Sequence, residues 1–263
     1  MFARQKMRRV PPSLHTLKYG LESIEFLWIR GSGRRLRIEV NSDGRVRVFS
    51  PAGAALGQIL PFVTGKAAWI LRSREKVRHC VRLTWPSLPR AGDEYYWEGR
   101  LLRMEEVPGL RFSIRIEPER FLLVCPPAAD SDRLARQAGL RVRAEAERLL
   151  RDRVRACLLT IPILTPGKAR REGLASGLAP GLSSPQVSFR MMKRRWGSCG
   201  RDGRVVLNVR LAQLPAACAD YVILHELCHL RHHHHGRAFV DLLARVVPDW
   251  KSRKKELEHF VMV

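Results

Sequence analysis

The chain has 263 residues, of which 45% are hydrophobic, enough to bury a substantial core in one large domain or two small ones. Lysine and arginine (48 residues) outnumber aspartate and glutamate (25), which gives a formal net charge of +23. No apolar run approaches the length of a membrane span and no signal-peptide core follows the basic N-terminus, so we expect a cytoplasmic protein without a membrane partner.

The first half of the sequence indicates β-structure. Strands are predicted where apolar residues alternate or run together, over residues 24–30, 36–40, 46–49, 95–97, 101–105, 112–116 and 121–124. Residues 31–33 and 41–44 supply the glycine, serine, asparagine and aspartate that hairpin turns require. One short helix is predicted between these strands, over residues 62–78.

The hydrophobic period changes after residue 129. Apolar residues then recur at helical spacing among arginines up to residue 160, which predicts a long helix. We therefore expect an α+β protein with an N-terminal β-rich region, 1–128, and a second domain, 129–263. Residues 166–185 are rich in Gly, Ala, Ser and Pro and are predicted to form a surface loop.

Six of the nine histidines lie between residues 225 and 235, and the run begins with the HExxH pattern of zinc hydrolases, His225-Glu226-Leu-Cys-His229. Positions i and i+4 share one face of a helix with Cβ atoms about 5–6 Å apart, so both imidazoles can bind one Zn²⁺ ion. Glu226 is then placed to act on water as a general base. The apolar residues before the motif predict a buried helix over about 215–231, in which unpaired polar groups would be costly.

A catalytic zinc site normally has three protein ligands and one open position. The candidates for the third ligand are His232, His233, His234 and His235. On a continuous helix the first two would lie further along the axis, and the last would be about 15 Å beyond His225. The last reaches the metal only if the chain folds back, which the adjacent Gly236 favours because glycine accepts left-handed backbone. Helix geometry leaves these alternatives open.

Several further segments accompany the motif. They are Lys-Arg-Arg-Trp-Gly-Ser-Cys at 193–199, Val-Val-Leu-Asn-Val-Arg-Leu at 205–211, Leu-Pro at 214–215, Phe239, and Pro-Asp-Trp at 248–250. Together with HExxH they closely resemble the YgjP-like metallopeptidase family, relatives of the SprT-type zincins. Weaker counterparts at residues 43–51, 69–70 and 97–103 extend the resemblance over nearly the whole chain.

The resemblance implies a zincin-like metallopeptidase domain, a Zn²⁺ cofactor and hydrolysis of peptide bonds in a protein or peptide substrate. It also implies that His235 is the third metal ligand. The chain departs from the family at Gly236, where Ser is usual, at Val240, where Trp is common, and at residues 232–234, where the family has no metal ligand. These departures make His234 the competing choice.

The sequence offers one strand and four residues as candidates for contact with the substrate. Zincins usually carry a strand beside the active-site helix, and residues 203–208 are the natural choice; as an exposed edge it would accept an extended peptide. Arg195, Trp196 and Ser198 resemble family motif positions, and we predict that they line the cleft or support it as scaffold. Tyr221 is a candidate for oxyanion stabilisation, although its place on an apolar helix is more typical of a core residue.

The excess of positive charge suggests a second class of function. Such a surface attracts polyanions, so nucleic acid is a possible partner, as for SprT relatives that act on DNA-bound proteins. An arginine-rich composition spread over the whole chain explains the same charge, and no known nucleic-acid-binding motif is visible. The alternative function is thus a basic nucleic-acid-associated module with a structural or vestigial zinc site, against which the intact Glu226 argues.

The six cysteines form no CxxC pair and follow no regular spacing, so we expect free thiols rather than a disulfide framework. Cys199 and Cys228 lie within the motifs, where a ligand or redox role is conceivable. A small buried apolar side chain is the favoured interpretation of both.

Overall fold

The computed structural model describes residues 11–126, 130–161 and 185–263, and its mixture of helices and sheets is the predicted α+β class. Contacts divide the chain into two compact units, one comprising the described residues up to Arg82 together with Val263, and the other Leu83–Met262. The division at residues 128/129 stays a prediction. The predicted loop at 166–185 lies outside the described residues except for its last position.

The first unit is a sheet covered by two helices. Its elements are β1 (Ser13–Tyr19), β2 (Glu22–Gly31), β3 (Arg37–Val40), β4 (Val46–Pro51), α1 (Leu56–Thr64) and α2 (Ala67–Arg78). The strand order is β1-β2-β4-β3, with β2 and β4 parallel and the outer pairs antiparallel. Three of the strands were predicted and β1 was not. The single predicted helix is two helices, because α1 ends at Thr64 with Gly65 as its C-cap and α2 begins at Ala67.

Strand alternation decides which face of this sheet is buried. Ile24, Phe26 and Trp28 of β2, with Val46 and Val48 of β4, point to one face and pack against apolar side chains of α1 and α2. The buried indole of Trp28 donates its N–H to the hydroxyl of Ser50 at 2.8 Å, so the core contains no unpaired indole donor.

The second unit contains the remaining elements of the described chain. They are β5 (Val81–Leu83, which begins in the first unit), β6 (Glu94–Trp97), β7 (Arg100–Pro108), β8 (Ser113–Ile116), β9 (Arg120–Cys125), α3 (Ser131–Thr160), β10 (Val187–Arg190), β11 (Gly197–Cys199), β12 (Val205–Asn208), a 3₁₀ helix (Val209–Gln213), α4 (Ala216–Cys228), α5 (Arg237–Val246), α6 (Trp250–Leu257) and β13 (Phe260–Met262). One sheet has the order β6-β7-β9-β8 and another β10-β12-β11. All four strands predicted for the first of these sheets are present.

The predicted edge strand at residues 203–208 is wrong in one respect. Strand β12 forms there, but it lies between β10, to which it is parallel, and β11, to which it is antiparallel. Its residues Val205 and Leu207 are buried. A short continuous apolar run of this kind is typical of a central strand. The edge strands are β10 and β11, and β11 lies within the Arg-Trp-Gly-Ser-Cys segment.

The long helix α3 is confirmed, and it supports the start of α4. The Asp130 carboxylate caps α3 by accepting from the N–H groups of Asp132 and Arg133 at 2.8 and 3.3 Å. Further along, the largely buried Arg153 donates to Glu98 at 2.7 Å and to Asp220 of α4 at 3.1 Å. Despite the length of α3, no helix in the described part of the chain is apolar enough to cross a membrane.

The tight turn between β6 and β7 also supports α4. Glu98 and Gly99 have φ angles of 47° and 80°, and their N–H groups donate to the carbonyl oxygens of Ala212 and Gln213. A Cβ on Gly99 would lie 2.8 Å from Cγ of Pro215, the residue immediately before α4. The turn therefore needs glycine both for its backbone conformation and for its approach to α4.

We expect Gly99→Ala to destabilise the second unit by about 2–5 kcal/mol, from a left-handed backbone cost of about 1–2 kcal/mol and an overpacking cost of about 1–3 kcal/mol. Gly92→Ala is the matched control, because Gly92 has a φ of 88° and its Cβ would meet only the end of a flexible arginine at 4.0 Å. Urea unfolding followed by tryptophan fluorescence measures both changes. Equal losses for the two variants would show that Pro215 yields without cost.

Candidate metal centre

Helix α4 carries the first half of the histidine run. It ends at Cys228 with His229 as its C-cap, slightly earlier than the predicted 231. The rings of His225 and His229 lie on the same side of the helix, with centroids 5.0 Å apart. Because α4 ends here, the following residues are not helical and form turns and bends.

The chain then folds back so that His235 reaches the other two histidines. Its Nε2 lies 3.0 Å from Nε2 of His225, and its ring centroid is 4.6 Å from that of His229. Gly236 caps α5 with φ −73° and ψ −178°, which is ordinary extended backbone rather than the left-handed conformation suggested by the sequence. One ligand nitrogen from each of the three histidines lies within 4.8 Å of the others.

Phe239 of α5 holds the three rings together. It is 1% exposed, and its ring centroid lies 5.0 Å from that of His225, 4.5 Å from His229 and 4.7 Å from His235. The sequence offered Phe239 only as part of a family pattern. Its packing role depends on the chain reversal, so no local signal reveals it.

Hydrogen bonding sets the tautomer of one histidine. Nδ1 of His229 lies 3.0 Å from the carbonyl oxygen of His232, and since a carbonyl only accepts, this nitrogen carries the proton. The lone pair of Nε2 is then left available for a metal. His232 therefore contributes its backbone to the site. Nδ1 of His225 is buried and has no hydrogen-bond partner among the described residues.

Burial keeps the imidazoles of His225 and His229 neutral. It lowers the pKa of His225 to about 4, with the neighbouring His229 and His235 adding to the effect, and it also lowers the pKa of His229. Neutral imidazole is the form that binds metal, so the site does not have to lose protons from these two side chains near neutral pH.

The donor set fits zinc. Zn–N bonds of about 2.0–2.1 Å at tetrahedral angles separate two ligand nitrogens by about 3.3 Å, close to the 3.0 Å between His225 and His235. His235 is exposed, so the cluster is accessible from solvent on its side. Three imidazoles with an accessible side are the arrangement of a catalytic rather than a closed structural site.

Glu226 lies beside the cluster and is 8% exposed. Burial raises its pKa to about 7, although the positive charge of Arg195 opposes the shift. Both protonation states are therefore accessible near neutral pH. The charge of Arg195 acts on this carboxylate, which lies next to the edge strand β11.

Gly197 of β11 makes this arrangement possible. A Cβ at this position would lie 2.6 Å from Cγ and 2.8 Å from Oε1 of Glu226. The strand therefore passes against the carboxylate at a distance that only glycine permits. Gly197 was part of the quoted motif but had no predicted role, because the contact joins segments that are distant in sequence.

Asn208 fixes the segment before β11. It is fully buried, and its side-chain amide donates to the carbonyl oxygens of Met192 and Arg195, both at 2.8 Å. Its backbone N–H donates to the carbonyl oxygen of Trp196 at 2.8 Å. Asn208 thus positions the Arg195–Trp196 backbone, a role that sequence reasoning missed.

The predicted cleft residues have different environments. Arg195 is exposed, whereas Trp196 and Ser198 are half-buried beside and within β11. Tyr221 is 6% exposed, with its ring edge-on to His225 at a centroid distance of 5.8 Å. The structure thus brings Arg195 and Tyr221 near Glu226 and His225 respectively, and substrate contact by any of the four stays a prediction.

All six cysteines are free thiols. Burial raises the pKa of Cys199 to about 11, together with nearby carboxylates, and that of Cys228 to about 12. Among the described residues, the cluster of possible metal ligands contains His225, His229 and His235 and neither cysteine. Cys228 is buried, as the apolar interpretation expects, whereas Cys199 is only half-buried.

A protein-family model described as "YgjP-like, metallopeptidase domain" matches residues 34–170 and 175–260. The match covers most of the chain and includes every site residue discussed above. No curated protein and no solved structure is significantly similar to the chain.

Proposed function

The chain belongs to the YgjP-like metallopeptidase family, and we propose that it is a zinc-dependent peptidase with a zincin-like catalytic domain in the cytoplasm. The observation that carries the proposal is the convergence of His225, His229 and His235 beside a buried Glu226. Three imidazoles would bind the ion, and the adjacent carboxylate is the group that hydrolysis requires.

The proposed chemistry divides between the metal and Glu226. When bound, zinc lowers the pKa of water and polarises the carbonyl of the substrate. The Glu226 carboxylate accepts a proton from the attacking water and then donates it to the leaving amine nitrogen. Gly197 keeps β11 against this carboxylate, and Phe239 orients the three imidazoles.

The proposed substrate is a protein or peptide in extended conformation. Within the described residues β11 pairs on one side only, with β12, so its other edge is available for an added strand. Such a peptide would pass Glu226, because β11 does. We assign Arg195, Trp196 and Ser198 to the walls of this cleft, and Tyr221 to the inner end beside His225.

The competing function is a nucleic-acid-associated module with a structural zinc site. Burying a carboxylate costs free energy unless it is compensated. A purely structural zinc site has no use for such a carboxylate beside its ligands. The position of Glu226 therefore supports the peptidase over this alternative.

A direct experiment compares zinc-loaded and chelator-treated protein on a mixture of peptides derived from a proteome. We expect new peptide N-termini only with the zinc-loaded protein, and their return when zinc is added back. Zinc-loaded, folded protein that produces no new termini, or cleavage that survives chelation, would contradict the proposal.

We expect Gly197→Ala to lower kcat/KM by at least about tenfold while zinc stays bound, because the new methyl group displaces the Glu226 carboxylate from its productive position. Gly236→Ala is the control: Gly236 lies next to His235, has a negative φ, and has nothing within 4 Å of its Cβ position. Peptide kinetics and bound-zinc analysis distinguish the two. Equal activity of both variants would show that Glu226 adapts to the methyl group.

A further inference from the structure

The first unit contains a cavity that the proposed peptidase chemistry does not use. It has a volume of about 440 Å³ and is lined by residues from the ends of β2 and β4, from β3, and from the β2–β3 loop. Its volume falls within the range of about 300–1,000 Å³ found for sites that bind small molecules.

The cavity lies on the face of the sheet opposite the core. Ile29 of β2, Phe49 of β4 and Arg37 of β3 are paired side by side across the three strands. Their neighbours Trp28 and Val48 point to the helices, so strand alternation directs this row to the other face. The result is an apolar floor with the Arg37–Glu39 ion pair at one end.

Arginines form the rim of the cavity. Arg34 and Arg35 are exposed, and within the described residues neither has an ion pair or hydrogen bond. The guanidinium of Arg37 lies over the ring of Phe49, 4.5 Å from its centroid, and forms an ion pair with Glu39 at 3.1 Å, so its outer face is the flat surface offered to a ligand. Gly31 and Gly33 have nothing within 4 Å of their Cβ positions, so the loop leaves room for a ligand backbone.

We propose that this cavity binds single-stranded nucleic acid, with phosphates on Arg34 and Arg35 and an unstacked base on the Phe49–Arg37 surface. Free guanidinium groups match phosphate oxygens in charge and geometry. Aromatic rings and arginine planes are the platforms on which exposed bases stack.

A single strand suits the cavity better than a duplex does. In a duplex the bases stack on each other, and only the phosphates could reach the arginines. The concave apolar floor would then stay empty. The glycine-lined loop and the flat Phe49–Arg37 surface are both used when a base leaves the stack and enters the cavity.

Fluorescence anisotropy of the full chain with labelled oligodeoxythymidine of about 12 nucleotides tests the proposal. If Arg34 and Arg35 each neutralise one phosphate, their double alanine variant makes the log–log salt slope less negative by about 1.4 and weakens binding roughly 25-fold at 0.1 M salt. The control variant, Lys18→Ala with Arg72→Ala, removes two exposed cations of the same unit from outside the cavity and should change binding far less.

The role of the Phe49 ring is tested separately. Phe49→Leu should weaken binding by about fivefold or more with an unchanged salt slope, whereas Phe49→Tyr should keep the affinity. Circular dichroism confirms that each variant is folded.

Four results would overturn the proposal: no binding at low salt, equal losses for the cavity and control pairs, duplex binding as tight as single-strand binding, or full retention by Phe49→Leu. The third would identify a duplex surface, and the second a diffuse basic one. None of them bears on the peptidase activity, which depends on other residues.

Discussion

Glu226→Gln is expected to keep about one zinc ion per chain while peptide hydrolysis falls by roughly 10²–10⁴-fold, the usual contribution of a general base. Glutamine has nearly the same shape, so the buried side chain still fits beside Gly197. Its amide, however, does not accept the proton of the attacking water. The variant therefore separates a base from a ligand, since removing a ligand would lower zinc affinity as well.

Bound zinc by mass spectrometry and kcat/KM on a cleaved peptide measure the two effects. Asp241→Asn is the matched control, because Asp241 is an exposed carboxylate of α5 whose ion pair with Arg237 is long, at 3.9 Å. We expect it to retain both zinc and activity. Zinc loss in Glu226→Gln would make Glu226 a ligand, and full activity with zinc bound would remove it from the mechanism.

The sequence predicted the sheet of the first unit better than its helices. The alternation in β2 is strong, with Ile24, Phe26 and Trp28 on one face, so that strand was recognisable without the fold. The boundary between α1 and α2 was not, because it depends on a bend at Gly65 and on a proline that α1 accepts in its interior. Strand β1 was missed since it is an edge strand with many exposed side chains.

The site was predictable where its chemistry is local. His225, Glu226 and His229 follow from HExxH alone, because their spacing is that of one helix turn. Gly197 could not be understood this way, since its reason is a contact with Glu226 from a strand that the sequence did not reveal. The same holds for the edge that we propose to bind peptide: the apolar run of β12 predicted an edge strand there, whereas β12 is central and the edges are β10 and the short β11.

The third ligand shows the limit most clearly. Each of the four consecutive histidines at 232–235 has the right side chain for a third metal ligand. Which of them reaches His225 and His229 depends on where α4 ends and on how the chain folds back toward it. The resemblance to the family selected His235. The structure brings that ring against His225 and His229, because α4 ends at Cys228 and α5 begins directly after Gly236.

His235→Ala is therefore expected to lose tight zinc binding and hydrolysis together. Loss of a supporting hydrogen bond to a ligand usually costs about 10–100-fold in metal affinity, and loss of a direct ligand should exceed that range. His234→Ala is the closest control, because it removes an exposed imidazole one residue away. His233→Ala should behave in the same way.

His232→Ala provides a sharper test of the geometry. His232 supports His229 through its backbone carbonyl, so removing its ring leaves the hydrogen bond to Nδ1 of His229 in place, and zinc should be retained. Competition with a chromophoric chelator gives the zinc affinity of all four variants, and peptide kinetics give their activity. If His234→Ala empties the site while His235→Ala leaves it full, the ligand register is shifted by one residue and the folded-back ring of His235 is not the third ligand.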